Sequence, residues 1–226
     1  CLRKNMGRVD RARQKLNLGI IVGDVYDSFL SLDHYVNHYL LPYSPRFRSI
    51  DFALASLDTI GIDQIFIFTQ SNKEFVARYL MREWPFHTFH LFDNLDLIHE
   101  FEDFFQEYAR EKRVQSIAVI RGDYPVWFDF NQAVEKWEGR GKIMGVQATA
   151  DDEKVVPSII IDRNSLLKHL KSQTDYAQAT GNAINMNPDK LMEQHNASTI
   201  EVTGYFKPLK NIQHYYNVHI DMLDDY

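Results

Sequence analysis

The stretch Gly19–Leu30, GIIVGDVYDSFL, puts two carboxylates where an α/β protein most often holds phosphate. Gly19–Val22 is a short apolar run and predicts a buried strand. Gly23 ends it, and Asp24 and Asp27 follow with Tyr26 between them. The loop after the first strand of such a fold ordinarily offers glycines, backbone N–H groups and a cation to a phosphate. Carboxylates do the opposite. Two like charges ~4 Å apart, at an effective dielectric of about 20, repel by roughly 4 kcal/mol. Asp24 or Asp27 beside a triphosphate therefore opposes binding unless a metal bridges them. The alternative is that Asp24 or Ser28 caps the turn that follows. On either reading, nothing in this loop cradles phosphates.

The elements that position this loop alternate between strand and helix. Strands are expected at Leu18–Val22, Gln64–Phe68, Thr88–Phe92, Ser116–Ile120, Ile143–Thr149, Val155–Ile161 and Thr199–Phe206. Several are unbroken apolar runs, as in strands covered on both faces. Helices are expected at Arg48–Ile60, Asn72–Arg82, Leu95–Arg113, Phe130–Glu138, Ser165–Lys171 and Ile212–Leu223. In the first, Ile50, Ala53, Leu54, Leu57 and Ile60 recur at helical spacing and Gly61 is a plausible stop. In the second, Phe75, Val76, Tyr79 and Leu80 share a face, and in the third Ile98, Phe101, Phe105 and Tyr108 do. Strand–helix alternation with moderate connections predicts an α/β fold, Rossmann-like, with a mainly parallel sheet and helices on both faces. Residues 173–198 are polar and poorly periodic, and read as an irregular excursion with one short helix after Pro188.

Composition narrows the function. The formal net charge of −6 argues against a nucleic-acid binder, which shows a basic face. It leaves room for a small anionic ligand held by a few arginines. The single cysteine, Cys1, excludes a disulfide within the chain and fits a reducing, cytoplasmic setting. No apolar run approaches the ~20 residues that span a bilayer, so no membrane is expected. Residues 1–17 are basic, lack the apolar centre of a signal peptide and read as a tail or arm. They do not begin with Met, which suggests an incomplete start. Residues 18–226 read as one domain, without repeat or linker.

Two longer stretches carry a resemblance. LPYSPRFRSIDFALASLDTIGIDQIFIFTQ, residues 41–70, resembles the block PFGGKYRxIDFxLSNxxNSGIxxIxxxTQ of ADP-glucose pyrophosphorylases (glucose-1-phosphate adenylyltransferases). The matching positions are Pro42, Arg46, Arg48, Ile50-Asp51-Phe52, Leu54, Gly61-Ile62 and Thr69-Gln70. GYFKPLKNIQHYYNVHIDMLDD, residues 204–225, resembles the family's GYWxDVGTxxxYxxANLDLL, and IRGDYPVWFDFNQAV, residues 120–134, its LSGDHxYxMDYxxxL. The resemblance implies the nucleotide-diphospho-sugar transferase fold over nearly the whole chain, without the family's C-terminal left-handed β-helix. It also implies a reaction: glucose 1-phosphate attacks the α-phosphorus of ATP and releases pyrophosphate, with Mg²⁺ held by carboxylates.

The departures fall on the chemistry. The family's AGGxGxRL loop keeps one glycine, Gly23. The lysine of its KPAVPF run is His38 here. Its base-reading GTADA turn and sugar-phosphate FxEKP segment have no counterpart in residues 86–96 or 145–157. The first metal carboxylate is retained as Asp123; as a strand-end Asp it also reads as a turn or cap residue. The second is Pro208, which offers neither a side-chain ligand nor an N–H. Lys207 and Lys210 flank it with positive charge, which makes a Mg²⁺ site hard to build. This combination resembles the non-catalytic D-type subunit of the family.

Three functions follow. The first is a degenerate regulatory subunit of glycogen or glucan biosynthesis, in a homo- or hetero-oligomer with a catalytic homologue. The second is an active sugar-1-phosphate nucleotidyltransferase with a rearranged Mg²⁺ site, in which Asp123 is catalytic and Lys207 or Lys210 replaces lost cations. The third is a sensor of sugar phosphate or nucleotide without chemistry. Arg46, Arg48 and Gln70 are the candidate substrate or anion contacts, Arg46 and Arg48 reading otherwise as surface cations at a helix start. ATP and glucose 1-phosphate are ligands by resemblance only. Asp51 is a further residue of interest, and Trp127, Phe128 and Phe130 are expected in the core.

Overall fold

The computed structural model describes residues 16–23, 37–44, 46–69, 72–93, 98–137, 143–150, 153–180, 186–207, 209 and 212–224. Asp24, Asp27, Gln70, Pro208 and Lys210 lie outside the described residues. Seven strands form one sheet: β1 (Leu16–Val22), β2 (Gln64–Thr69), β3 (Thr88–Asp93), β4 (Ser116–Arg121), β6 (Ile143–Ala150), β7 (Glu153–Asp162) and β8 (Ser198–Glu201). Their order is β3-β2-β1-β4-β7-β6-β8. The pairs β1–β2, β1–β4, β2–β3 and β6–β8 are parallel, and β7 runs against both of its neighbours. β5 (Val126–Phe128) and β9 (Gly204–Phe206) form a separate antiparallel ribbon. The expected α/β architecture is present.

The unbroken apolar runs are explained by two cores. Successive side chains of a strand point to opposite faces. In β2, Ile65 and Ile67 enter one core and Phe66 and Phe68 the other; in β4, Ala118 and Ile120 divide in the same way from Ile117 and Val119. The first core is closed by α1 (Ser49–Asp58), α2 (Lys73–Glu83), α4 (Phe130–Trp137) and the C-terminal α7 (Ile212–Asp224). The second is closed by α3 (Ile98–Glu111), α5 (Arg163–Thr180) and α6 (Pro188–His195). Phe101, Phe105 and Tyr108 of α3 are buried there, as the spacing predicted. Gly61 sits just past α1 with φ +72°, a left-handed conformation that suits a helix stop.

Four expectations need correction. The segment expected as one strand, Thr199–Phe206, is two strands in different sheets. Val202 N–H donates to the Gln147 carbonyl, Thr203 N–H donates to Gln132 Oε1, and the chain leaves β6 to pair with β5. The helix expected at Ser165–Lys171 runs from Arg163 to Thr180, into the stretch read as irregular; the short helix after Pro188 is α6. Asp162 starts α5 early, since Oδ1 accepts from the N–H groups of Asn164 and Ser165 and Oδ2 from Ser165 Oγ. Phe75, expected on the packed face of α2, is 59% exposed beneath the Arg78 guanidinium, and Val76 and Leu80 do the packing. Trp127, expected in the core, is 42% exposed, whereas Phe128 and Phe130 are fully buried.

Candidate functional site

In a parallel α/β sheet, ligands meet the carboxyl ends of the strands. Here β1 and β4 end side by side, with Gly122 N–H donating to the Val22 carbonyl at 2.9 Å. Tyr39, in a single 3-10 turn over His38–Leu40, closes one side. Its backbone N–H donates to Asn37 Oδ1 at 3.0 Å and its hydroxyl to the Phe68 carbonyl at 2.5 Å. Gly23 lies so close that a Cβ there would stand 2.9 Å from Asp123 Cβ and 3.2 Å from Tyr39 Cε1. Only glycine admits this approach.

Asp123 is 1% exposed at the end of β4 and is bound by Arg121, itself 5% exposed. Arg121 Nε donates to Asp123 Oδ1 at 3.0 Å and Nη2 donates to Oδ2 at 2.5 Å. The guanidinium also lies 5.1 Å from the Tyr124 ring centroid. This is the two-pronged arginine–carboxylate geometry, a strong charge-assisted pair. A sequence signal for it existed and was missed: Arg121 and Asp123 are only two residues apart, and the bend that follows β4 turns Asp123 back to the guanidinium.

Mg²⁺ wants about six oxygen ligands in near-octahedral array. Asp123 meets a guanidinium with both of its oxygens. Among the described residues no three His, Cys, Asp or Glu side chains gather to hold an ion. The donor set described here does not fit the metal that the family resemblance implies.

Arg46 and Arg48 make backbone contacts in and just before α1. Arg46 is exposed, and its N–H donates to Ser44 Oγ in the turn before α1. Arg48 is half-buried, and its N–H donates to Asp51 Oδ2 at 2.7 Å. No ion pair joins either arginine to Asp123 among the described residues. Lys207, read as a cation beside the second metal position, forms an ion pair with Asp221 of α7 at 3.1 Å. His38 accepts Ser49 Oγ on its carbonyl at 2.8 Å.

Asp51 is a hub of a different kind. Besides the Arg48 N–H, it accepts the Tyr79 hydroxyl on Oδ2 at 2.5 Å and the Trp84 indole N–H on Oδ1 at 2.8 Å. Burial pushes the Tyr79 hydroxyl well above its usual range, and the bond to Asp51 and the charge of Asp51 raise it further. Tyr43 links the same loop to α7. It stacks on His219, with centroids 5.7 Å apart, and meets Phe52 and Tyr215 edge to face. Burial, with Asp123 among the charges nearby, raises its hydroxyl too. On the outer side of α1, Phe47, Phe52, Ala55, Trp127 and Tyr205 line an open apolar groove of about 270 Å³.

No protein-family model and no curated protein sequence matches the chain. Among solved structures it is similar to a Bacillus anthracis protein described as a glucose-1-phosphate thymidylyltransferase, crystallised in complex with a sucrose. The two share 15% identity and superpose with a TM-score of 0.68, over 92% of this chain and 96% of that one. Among the described residues no helix is long and apolar enough to cross a membrane. A similarity of this extent at this identity speaks for architecture alone, and the chain has the fold of the nucleotide-diphospho-sugar transferases.

Proposed function

We propose that this chain is a glucose-1-phosphate adenylyltransferase-like protein of glycogen or glucan biosynthesis whose cleft no longer transfers nucleotides, and that it acts as a regulatory subunit beside a catalytic homologue. The observation that carries the reading is Arg121 on both oxygens of Asp123. In a working transferase that carboxylate neutralises a metal bound to polyphosphate. Here a side chain neutralises it. Pro208 at the second carboxylate position, and acids in place of the glycine loop, point the same way from the sequence.

The scaffold meanwhile is kept. The RSIDFALASL helix packs against β5 and β4 and anchors α2 through Asp51. Retained packing with altered chemistry is what a structural or regulatory subunit requires.

A pyrophosphate-release assay with ATP, glucose 1-phosphate and Mg²⁺ tests the reading. The chain alone is expected to give no turnover. Mixed with a catalytic glucose-1-phosphate adenylyltransferase partner, it is expected to change that enzyme's KM or effector response. Turnover by the chain alone, lost in Asp123→Asn, would establish the rearranged-site enzyme instead. A thermal shift with sugar phosphates or nucleotides, without turnover and without effect on a partner, would establish the sensor.

A further inference from the structure

We infer that the Arg121 guanidinium is the resident cation of this cleft, and that the site at Asp123 works without a divalent metal. The inference rests on reading the cleft as that of a nucleotidyltransferase, but it concerns the ion and not the reaction.

Three features make the pair a fixed part of the fold. Both side chains are almost fully buried, and the two contacts of 2.5 and 3.0 Å spread over both carboxylate oxygens. The partners are two residues apart in sequence, Arg121 closing β4 and Asp123 in the bend just after it, so no distant element has to swing in to join them. The surroundings hold it in place: the Tyr124 ring faces the guanidinium at 5.1 Å, and Gly23 leaves no room for a side chain beside Asp123.

Mg²⁺ and Arg121 therefore compete for one carboxylate, and the competition is unequal. The ion sheds its water reluctantly. Its arrival would leave a buried guanidinium without its counter-charge, which is strongly unfavourable. Arg121 pays no dehydration cost at that moment, because folding has already placed it. The carboxylate is thus already neutralised by the fold, and divalent cation is not needed to balance it.

The test uses the whole chain, acidic loop included, with Mn²⁺ as a paramagnetic probe followed by electron paramagnetic resonance, alongside thermal melts in Mg²⁺ and in EDTA. The wild-type protein is expected to show no Mn²⁺ binding that depends on Asp123 and the same Tm in Mg²⁺ and EDTA. Arg121→Ala is expected to melt roughly 10 °C lower. It should also gain Mn²⁺ binding that restores part of the loss and disappears in Arg121→Ala/Asp123→Asn. Should Arg121→Ala fail to fold, Arg121→Gln fills more of the space, keeps an N–H donor without the charge, and is read in the same way. Two results overturn the inference: wild-type Mn²⁺ binding weakened tenfold or more by Asp123→Asn, or an uncharged variant at 121 that stays indifferent to Mn²⁺. Mn²⁺ bound with an affinity that Asp123→Asn leaves unchanged lies elsewhere and supports it. The outcome is separable from that of the proposed function. Turnover with no Asp123-dependent metal site defeats the regulatory reading alone; such a metal site without turnover defeats this inference alone.

Discussion

Asp51 and Asp123 are buried to nearly the same degree, 6% and 1% exposed, and lie in two of the three stretches that carry the family resemblance. They are satisfied in opposite ways. Asp51 accepts from three neutral donors: a backbone N–H, a phenol and an indole. These ease the burial of its charge without cancelling it, and they tie the start of α1 to α2 and to the chain just after it. Asp123 faces a full positive charge two residues before it in the chain. The first arrangement is architecture. The second is a closed charge pair. A retained motif therefore says little until the partner of its carboxylate is known.

The strongest way to break this comparison is to remove the acceptor at position 51. Asp51→Ala strands three buried donors, and at ~1–3 kcal/mol each, partly relieved by water, a loss of about 3–5 kcal/mol is expected in urea unfolding. A loss under ~1 kcal/mol would mean that Asp51 is not the hub described.

Next comes a double-mutant cycle on the other carboxylate. Arg121→Met and Asp123→Leu each leave a buried charge without its partner, whereas the double variant buries apolar groups of similar size. A coupling of about 2 kcal/mol or more is expected at Arg121–Asp123, with the double variant more stable than either single one. If the two changes simply add, the pair is an incidental contact.

Tyr79→Phe sharpens the contrast from the neutral side. It removes one donor and leaves Asp51 with two, so equilibrium unfolding should register roughly 1.5 kcal/mol. Crystals or amide exchange should show α2 still docked, because Val76 and Leu80 remain buried.

The smallest effect is a pH dependence away from both carboxylates. His90 on β3 lies against Phe66, Phe104 and Tyr108. Burial first, and then the Lys112 charge, lower its pKa in the folded state. A histidine depressed on folding binds its proton more readily when unfolded. Its contribution to stability is therefore complete above the unfolded value of about 6.5 and declines as pH falls from there toward the folded value. His90→Gln should flatten that acid-side slope in denaturation melts taken between about pH 5 and 7, and a slope that does not change would clear His90 of the role.

Much of this architecture was legible because it rests on local periodicity. The helical stripe of Ile50, Ala53, Leu54 and Leu57 reads correctly, as do the apolar runs of β1, β2 and β4. The failures share a cause. Residues 172–180 form helix without an apolar stripe to announce it, and their Ala and Gln are adequate helix formers by propensity alone. β5 and β9 are three residues each, too short for a period to show, and they exist only because they pair. Phe75 and Trp127 are apolar yet exposed, which no periodicity reports, since it predicts faces and not what covers them. Of the site, Asp123 was visible as a strand-end acid and Arg121 could have been, from their spacing of two.

The chain by itself determined which segments become strands and helices, because alternation and helical spacing act over a few neighbours and need no distant partner. It determined too the residue types themselves, including Pro208 at the position where the family resemblance implies a carboxylate. Only the tertiary structure decided that Asp51 takes donors 28 and 33 residues away. Only it buried Arg121 and Asp123 just past the end of β4, where a buried charge is costly unless another charge answers it.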